Sequence, residues 1–215
     1  MSNIRAIITG ITQDFALKSE VRDKTLRRSR ELIGHCANAI RATHRAEREE
    51  ADRLLATAKT IASEMVGEAR QFPDIYYAGY TQDALKELAE AYLTQALILA
   101  MPLPTPADLD IQNAAYVNGL AEAAGELRRY ALDALRRGEV EISERILEVM
   151  DEIYTGLITV DFPDAITSGL RRNTDMVRGV LERTRGDVTT AARQEAMKKA
   201  LAAFEERVTR LGGLG

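Results

Sequence analysis

The feature that most constrains the fold is a stretch from Glu20 to Gln71 that contains no proline. Only Gly34 and Gly67 interrupt residues that otherwise favour helices, and apolar residues recur there at helical spacing. The pattern predicts one helix of about 50 residues, which would be about 75 Å long. Such a helix exceeds the width of a compact domain of this size, so we expect it to project or to support an assembly.

Proline and glycine divide the rest of the chain into further helical segments. Apolar spacing predicts a short first helix over 4–17, with Ser19 as N-cap of the long second helix and Pro73 as its end. The later predicted helices cover about 74–101, 107–137 (with Gly138 at C′), 141–160, 164–185 (closed by Gly186) and 187–211, followed by a fraying tail at 212–215. Nothing resembles a strand beyond a short β-branched run at 158–160. The sequence therefore predicts a single all-α domain of about seven helices over residues 1–215.

Composition limits the cellular location and the kind of ligand that we expect for this chain. The single cysteine, Cys36, has no partner for an internal disulfide, which favours a reducing, cytoplasmic location. The N-terminus lacks the apolar run of a signal peptide, and no window has the roughly 18 apolar residues of a membrane span. The net charge of −4 counts against a simple nucleic-acid binder. A protein can nevertheless keep basic residues inside an acidic exterior.

The predicted fourth helix contains, within a few residues, two acids and two glycines that lower helix stability. Glu122 and Glu126 lie four residues apart on one face, where like charges repel by a few tenths of a kcal/mol. Gly119 and Gly125 each cost about 1 kcal/mol against alanine inside a helix. The combination indicates a need for clustered negative charge on a slim helix.

Two acidic pairs form the candidate metal site. Glu87 and Glu90 share a face of the predicted third helix, and Glu122 and Glu126 share a face of the fourth. If these helices pack antiparallel across the proline-rich loop at 102–106, the pairs can face each other. Four carboxylates without imidazole or thiolate suit Mg²⁺ or Mn²⁺ rather than zinc. The alternative is that the acids are simply solvated, since they lie opposite the apolar stripes.

Basic and aromatic residues supply candidate contacts to nucleic acid. The candidate phosphate-binding arginines are Arg41, Arg45, Arg48, Arg129 and Arg136, and the candidate base-stacking residue is Tyr80. Arg129 and Arg136 share a helix face with Glu122 and Glu126. The alternatives are that the arginines pair with neighbouring acids, and that Tyr80, with Tyr76 and Tyr77, packs between helices.

Several segments together resemble the translin superfamily. The stretch Tyr116–Arg129, which contains Gly-Glu-Leu, is similar to the pattern G-x-A-D-x-x-G-E-L of its catalytic branch, Trax. The segment Gln82–Ala91 resembles the family's Q-E-Y-x-E-A segment with both acids three residues apart. Further similar segments are Ile40–Arg45, Arg137–Val140, Ile153–Leu157 and Leu170–Asp175. The likeness extends in order from about residue 25 to 205 and is typical of a stand-alone archaeal-type protein of this family.

The resemblance implies a seven-helix fold that assembles into a hollow octamer with nucleic acid inside. In Trax, carboxylates form a Mg²⁺-dependent endoribonuclease that cuts single-stranded RNA. That role carries over to Glu87, Glu90 and Glu126, while Glu122 stands where the family usually has aspartate. The extra methylene leaves the charge in place but puts the metal geometry and the rate in question. Plain translin subunits, which are generally non-catalytic binders, lack this full acidic set.

Four functions follow as hypotheses. The first is a homo-octameric, Mg²⁺-dependent ribonuclease acting on single-stranded or short RNA. The second is a non-catalytic octamer that binds single-stranded RNA or DNA. The third is an all-α nucleotide pyrophosphatase of the MazG type, with Glu47, Glu49 and Glu50 as extra acids, although its usual ExxD partner is missing. A purely structural helical protein is the fourth.

Overall fold

The computed structural model describes residues 3–212, and the side chains within that range up to residue 210. All regular structure in that part of the chain is helical, which confirms the all-α prediction. The helices are α1 (Ile4–His44), α2 (Arg48–Ala69), α3 (Pro73–Tyr76), α4 (Gly79–Ile98), α5 (Pro106–Leu109), α6 (Asn113–Arg136), α7 (Val140–Leu157), α8 (Asp164–Thr167) and α9 (Leu170–Gly212). None of these described helices combines the length and the apolarity needed to cross a bilayer.

The very long helix near the N-terminus is the first one, not the second. Helix α1 continues through Ser19, so the predicted N-cap there is wrong, and the predicted helix over 20–71 is broken at Ala46. Ala46 adopts the left-handed conformation with φ of 58°. The N–H of Glu47 donates to the carbonyl of Ala42 at 2.9 Å, and the N–H of Ala46 donates to the carbonyl of Thr43 at 3.0 Å. These two bonds form a Schellman motif, in which the left-handed residue is usually glycine.

The C-terminal half shows a second difference from the sequence prediction. Gly186 does not end a helix, because α9 runs through it from Leu170 to Gly212 and joins the predicted sixth and seventh helices. The break lies earlier, where Ser168 and Gly169 have φ of 52° and 83°. A lone glycine costs a helix about 1 kcal/mol but leaves its hydrogen bonds intact. Gly212 is helical, whereas the rest of the predicted tail, 213–215, lies outside the described residues.

Other ends of the helices fall close to the predictions. Gly138 is the C′ residue of α6 as expected, with φ of 80° and a bond from the N–H of Glu139 to the carbonyl of Ala134 at 3.0 Å. The predicted third helix, 74–101, begins later, at Gly79, because its first residues form the separate turn α3. The predicted fourth helix begins at Asn113 instead of 107, because Pro106–Leu109 forms the single turn α5.

The chain divides into two compact units. The first consists of the residues up to Ala123 together with Phe162–Arg171. It contains α1 to α5, the first half of α6, and α8, and its largest fully buried side chains are Leu32, Met65, Leu85, Leu88, Leu93 and Leu170. Asn118 fastens the returning segment, because its buried side-chain amide donates to the carbonyl of Thr167 at 2.7 Å.

The second unit consists of Ala124–Asp161 and the residues from Arg172 onward. Its largest fully buried side chains are Leu127, Ile146, Met150, Val177 and Leu181. The hydroxyl of Ser143 on α7 donates to the carbonyl of Ala131 on α6 at 2.9 Å. The single-domain assignment over 1–215 stays a prediction.

Candidate metal centre

Helix α6 approaches α4 backbone to backbone at Gly119. A Cβ at that position would lie 2.7 Å from the Cβ of Ala89, 2.7 Å from the carbonyl oxygen of Lys86 and 2.9 Å from the amide nitrogen of Glu90. Only glycine fits this contact without a shift of one helix. Because Lys86 meets Glu122 while Ala89 meets Gly119, the two helices run antiparallel, which is the arrangement that the metal-site hypothesis requires.

Three of the four predicted carboxylates meet across this contact. Glu87 and Glu90 on α4 and Glu122 on α6 each offer one oxygen, and these oxygens lie within 4.8 Å of one another. All three side chains are half-buried. The donor set consists of carboxylates alone, which is the chemistry that Mg²⁺ and Mn²⁺ prefer. The residues present therefore fit the metal that the sequence predicted.

Lys86 belongs to this cluster and was missed by the sequence prediction. Its ammonium nitrogen donates to Oε1 of Glu122 at 2.7 Å and lies 3.7 Å from Oε1 of Glu87. Burial alone would lower the pKa of Lys86, but the hydrogen bond to Glu122 and the nearby negative charges outweigh it and raise the pKa. The site thus carries a built-in cation at neutral pH. Its position immediately before Glu87 was the available sequence signal.

The interior around the carboxylates favours neutral groups. Burial raises the pKa of Glu87, and the negative charges of Glu122 and Asp83 raise it further against the opposing effect of Lys86. Cys36 on α1 has no exposed surface, and burial followed by the charges of Glu87 and Glu90 raises its pKa to about 12. Cys36 is therefore a protonated thiol beside the cluster at neutral pH.

Glu126, the fourth predicted ligand, belongs to the second unit. It follows Glu122 by four residues on α6 and is half-buried. One of its carboxylate oxygens lies 3.6 Å from Nη1 of Arg129. Glu126 is outside the group of three whose oxygens converge, so its role as a ligand stays a prediction.

The predicted phosphate-binding arginines are all exposed and lie next to polar groups. Their polar contacts are Arg41 with Asn38 at 2.6 Å, Arg45 with Glu47 at 2.7 Å, Arg48 with Asp52 at 3.9 Å, Arg129 with Glu126 at 3.6 Å and Arg136 with Asp133 at 3.4 Å. The side chain of Arg136 is 83% exposed. Exposed pairs of this kind contribute little to stability, so the guanidinium groups are available to a phosphate at low cost.

The three tyrosines near the N-terminus of α4 differ in their surroundings. Tyr76 is buried, its hydroxyl accepts a hydrogen bond from Nε2 of Gln112 at 3.1 Å, and its ring packs edge-on against Tyr77 with centroids 4.8 Å apart. Tyr77 is exposed and Tyr80 is half-buried. Tyr76 therefore packs between helices, while the stacking role of Tyr80 stays a prediction.

Comparison with known proteins identifies the family. The crystal structure of AfC3PO matches with a TM-score of 0.81 and 35% identity, over 87% of this chain and 97% of that one. The chain belongs to the translin superfamily. AfC3PO in its complex with duplex RNA matches with a TM-score of 0.78 and 35% identity, over 90% of this chain and 98% of that one.

Two further proteins are similar to this chain. Apo-NeC3PO shares the fold with a TM-score of 0.79 at 18% identity, over 86% of this chain and 96% of that one. The uncharacterized protein MJ0175 of Methanocaldococcus jannaschii is 32% identical over 178 residues, which are 81% of this chain and 78% of MJ0175. No family model matches the chain.

Proposed function

We propose that this translin-family protein is a metal-dependent endoribonuclease that acts on single-stranded or short RNA inside a hollow homo-oligomer, with an octamer as the expected assembly. The observation that carries the proposal is the convergence of Glu87, Glu90 and Glu122 on two antiparallel helices, with oxygens within 4.8 Å of one another. Burying three half-shielded acids together costs free energy through desolvation and repulsion. A bound divalent cation would offset that unfavourable free energy.

RNA is the expected substrate class. A protein 35% identical to this one over 90% of the chain, AfC3PO, has been captured with duplex RNA. That complex supports RNA as the ligand and makes duplex RNA a necessary comparison beside single strands and single-stranded DNA. The exposed arginines, namely Arg41, Arg45, Arg48, Arg129 and Arg136, are proposed to hold phosphates, with Tyr80 stacking on a base.

The chain's own residues have three tasks in the proposed reaction. Glu87, Glu90 and Glu122 would hold Mg²⁺ or Mn²⁺, with Glu126 as a further proposed ligand. When bound, such an ion supplies Lewis-acid activation of water and of the phosphodiester. The contact at Gly119 fixes the spacing of the acid-bearing helices, and the ammonium of Lys86 offsets part of the negative charge of the carboxylates.

A cleavage assay on matched variants tests the proposal. Labelled single-stranded RNA is incubated with wild-type protein, Glu87→Gln, Glu122→Gln and Glu49→Gln, each with Mg²⁺, Mn²⁺ or EDTA. We expect EDTA, which removes the metal ion, and the first two substitutions, which each remove a carboxylate ligand, to lower the cleavage rate by at least about 100-fold. Glu49 is an exposed acid of α2, so Glu49→Gln should cut like the wild type. Intact RNA in every wild-type reaction would refute the nuclease.

The second candidate is a non-catalytic RNA-binding or DNA-binding assembly. The ion pair between Lys86 and Glu122 favours it, because the ammonium already compensates part of the charge that a metal would neutralise. This function predicts salt-sensitive binding that survives Glu87→Gln and Glu122→Gln, without cleavage in any metal. Measuring binding by fluorescence anisotropy on the same variants separates the two candidates.

A further inference from the structure

Two helix ends carry apolar stripes that no other described part of the chain covers. The N-terminal stripe of α1 consists of Ile4, Ile8, Ile11 and Phe15, whose exposed fractions lie between 43% and 67%. The C-terminal stripe of α9 consists of Met197, Leu201, Phe204 and Val208, whose exposed fractions lie between 52% and 67%. Contiguous apolar surface of this kind marks an interaction site.

Both stripes have the same spacing. Successive members are separated by four, three and four residues in each case. Alternation of three and four is the heptad pattern of a coiled-coil seam, with apolar residues at the a and d positions. Each stripe covers 12 residues and is therefore about 17 Å long.

We propose that the N-terminal stripe of one copy packs antiparallel against the C-terminal stripe of a second copy. In this register every layer joins an a position to a d position: Ile4 faces Val208, Ile8 faces Phe204, Ile11 faces Leu201 and Phe15 faces Met197. All four layers form because the two stripes have equal length and mirror-related spacing. No layer leaves an apolar residue opposite a charge.

The flanking residues favour this pairing over two copies of α1 with each other. In the proposed register Arg5 flanks the seam on the same side as Glu205, so opposite charges meet. Ile7 falls beside Arg207, whose aliphatic stem can cover it. Pairing α1 with α1 would instead put Ile7 beside Asp14 twice and leave Arg5 without an acidic neighbour across the seam.

The arrangement fits a closed assembly. Each copy offers one stripe of each kind, so a head-to-tail arrangement of the contact generates a ring when its rotation closes. The inference rests on the homo-oligomer of the proposed function and is independent of its cleavage chemistry. It assigns part of the assembly interface to two helix ends that lie outside the candidate metal centre.

Disulfide trapping tests the pairing directly. The double variant Ile11→Cys/Leu201→Cys and the two single variants are oxidised and run on a non-reducing gel. The native Cys36 has no exposed surface, so the added thiols are the reactive ones. We expect a ladder of linked dimers and larger species from the double variant, and monomers from each single variant. Dimers from a single variant would show like-with-like pairing, and absence of a ladder would refute the contact.

Particle mass provides the second measurement. Ile11→Asp and Leu201→Asp are compared with Gln13→Asp, an exposed position on the opposite face of α1, by light scattering after size-exclusion chromatography. We expect the mass to fall for the two stripe variants and to stay unchanged for the control, with wild-type circular dichroism throughout. A wild-type mass in Ile11→Asp would overturn this proposal alone. A monomeric wild type would overturn both this proposal and the homo-oligomer, whereas RNA cleavage is scored separately.

Discussion

The ammonium nitrogen of Lys86 lies 2.7 Å from Oε1 of Glu122, so the carboxylate cluster already contains a cation of its own. Three carboxylates and one ammonium have a net charge of −2, which equals the charge of one divalent ion with opposite sign. Lys86 would therefore compete with a metal for Glu122 and limit how much positive charge the cluster attracts.

Removing the ammonium should strengthen metal binding. Lys86→Met keeps most of the side chain's volume and should tighten Mn²⁺ binding by roughly tenfold, or about 1.4 kcal/mol. Electron paramagnetic resonance titration of free Mn²⁺ measures the affinity without reference to activity. The matched control is Lys59→Met at an exposed position of α2. Weaker Mn²⁺ binding in Lys86→Met would show that Lys86 organises the ligands and does not compete with the metal.

The two glycines of α6 should respond oppositely to alanine. Gly119→Ala pushes a methyl group against backbone atoms of Lys86 and Glu90, which cannot move aside, so overpacking of about 1–3 kcal/mol should outweigh the gain in helix propensity. Gly125 has open space around its position, so Gly125→Ala should stabilise by about 0.5–1 kcal/mol. Urea denaturation at one protein concentration measures both. A shift of both variants in the same direction would contradict the close helix contact.

The end of α1 should become more stable with glycine. Ala46 has φ of 58°, a conformation that costs an alanine roughly 1 kcal/mol and glycine almost nothing. Ala46→Gly should therefore raise the free energy of unfolding by about 1 kcal/mol. Ala56→Gly, at an exposed position inside α2, should lower it by a similar amount. If Ala46→Gly also destabilises, the α1–α2 break is not the Schellman motif described above.

Cys36 should be unreactive in the folded protein. Its pKa is raised to about 12, so at pH 8 nearly all of the thiol is protonated, and its side chain has no exposed surface. Ellman's reagent should release almost no chromophore from native protein and one equivalent per chain in denaturant. Rapid reaction of the native protein would place the thiol outside the core.

Periodicity predicted the helical faces well because burial follows geometry. Ala123, Leu127 and Ala134 recur at helical spacing along one side of α6, and each has no exposed surface. Gly138 occupies the expected left-handed position because glycine alone adopts it without cost. Glu87, Glu90 and Glu122 converge because spacing fixed their faces and the short loop made the helices antiparallel.

The two wrong helix breaks share one physical cause. Ala46 and Ser168 adopt left-handed conformations without being glycine, so tertiary packing and not local propensity ends α1 and separates α8 from α9. Conversely, tertiary packing keeps Gly186 inside a continuous helix although glycine is a poor helix former. Lys86 escaped notice because its partner Glu122 is 36 residues away, and helical spacing predicts faces but not pairings between helices.

The hydrogen bond from the Asn118 amide to the Thr167 carbonyl has a consequence for folding during translation. The first unit is interrupted in sequence, since Phe162–Arg171 returns to it after Ala124–Asp161 has been added. Until translation has passed Thr167, a nascent chain would leave the Asn118 amide without that acceptor. The first unit, which carries Glu87, Glu90 and Glu122, is therefore complete only after residues far beyond Glu122 have been synthesised. A fragment ending at Ala123 would be an incomplete folding unit.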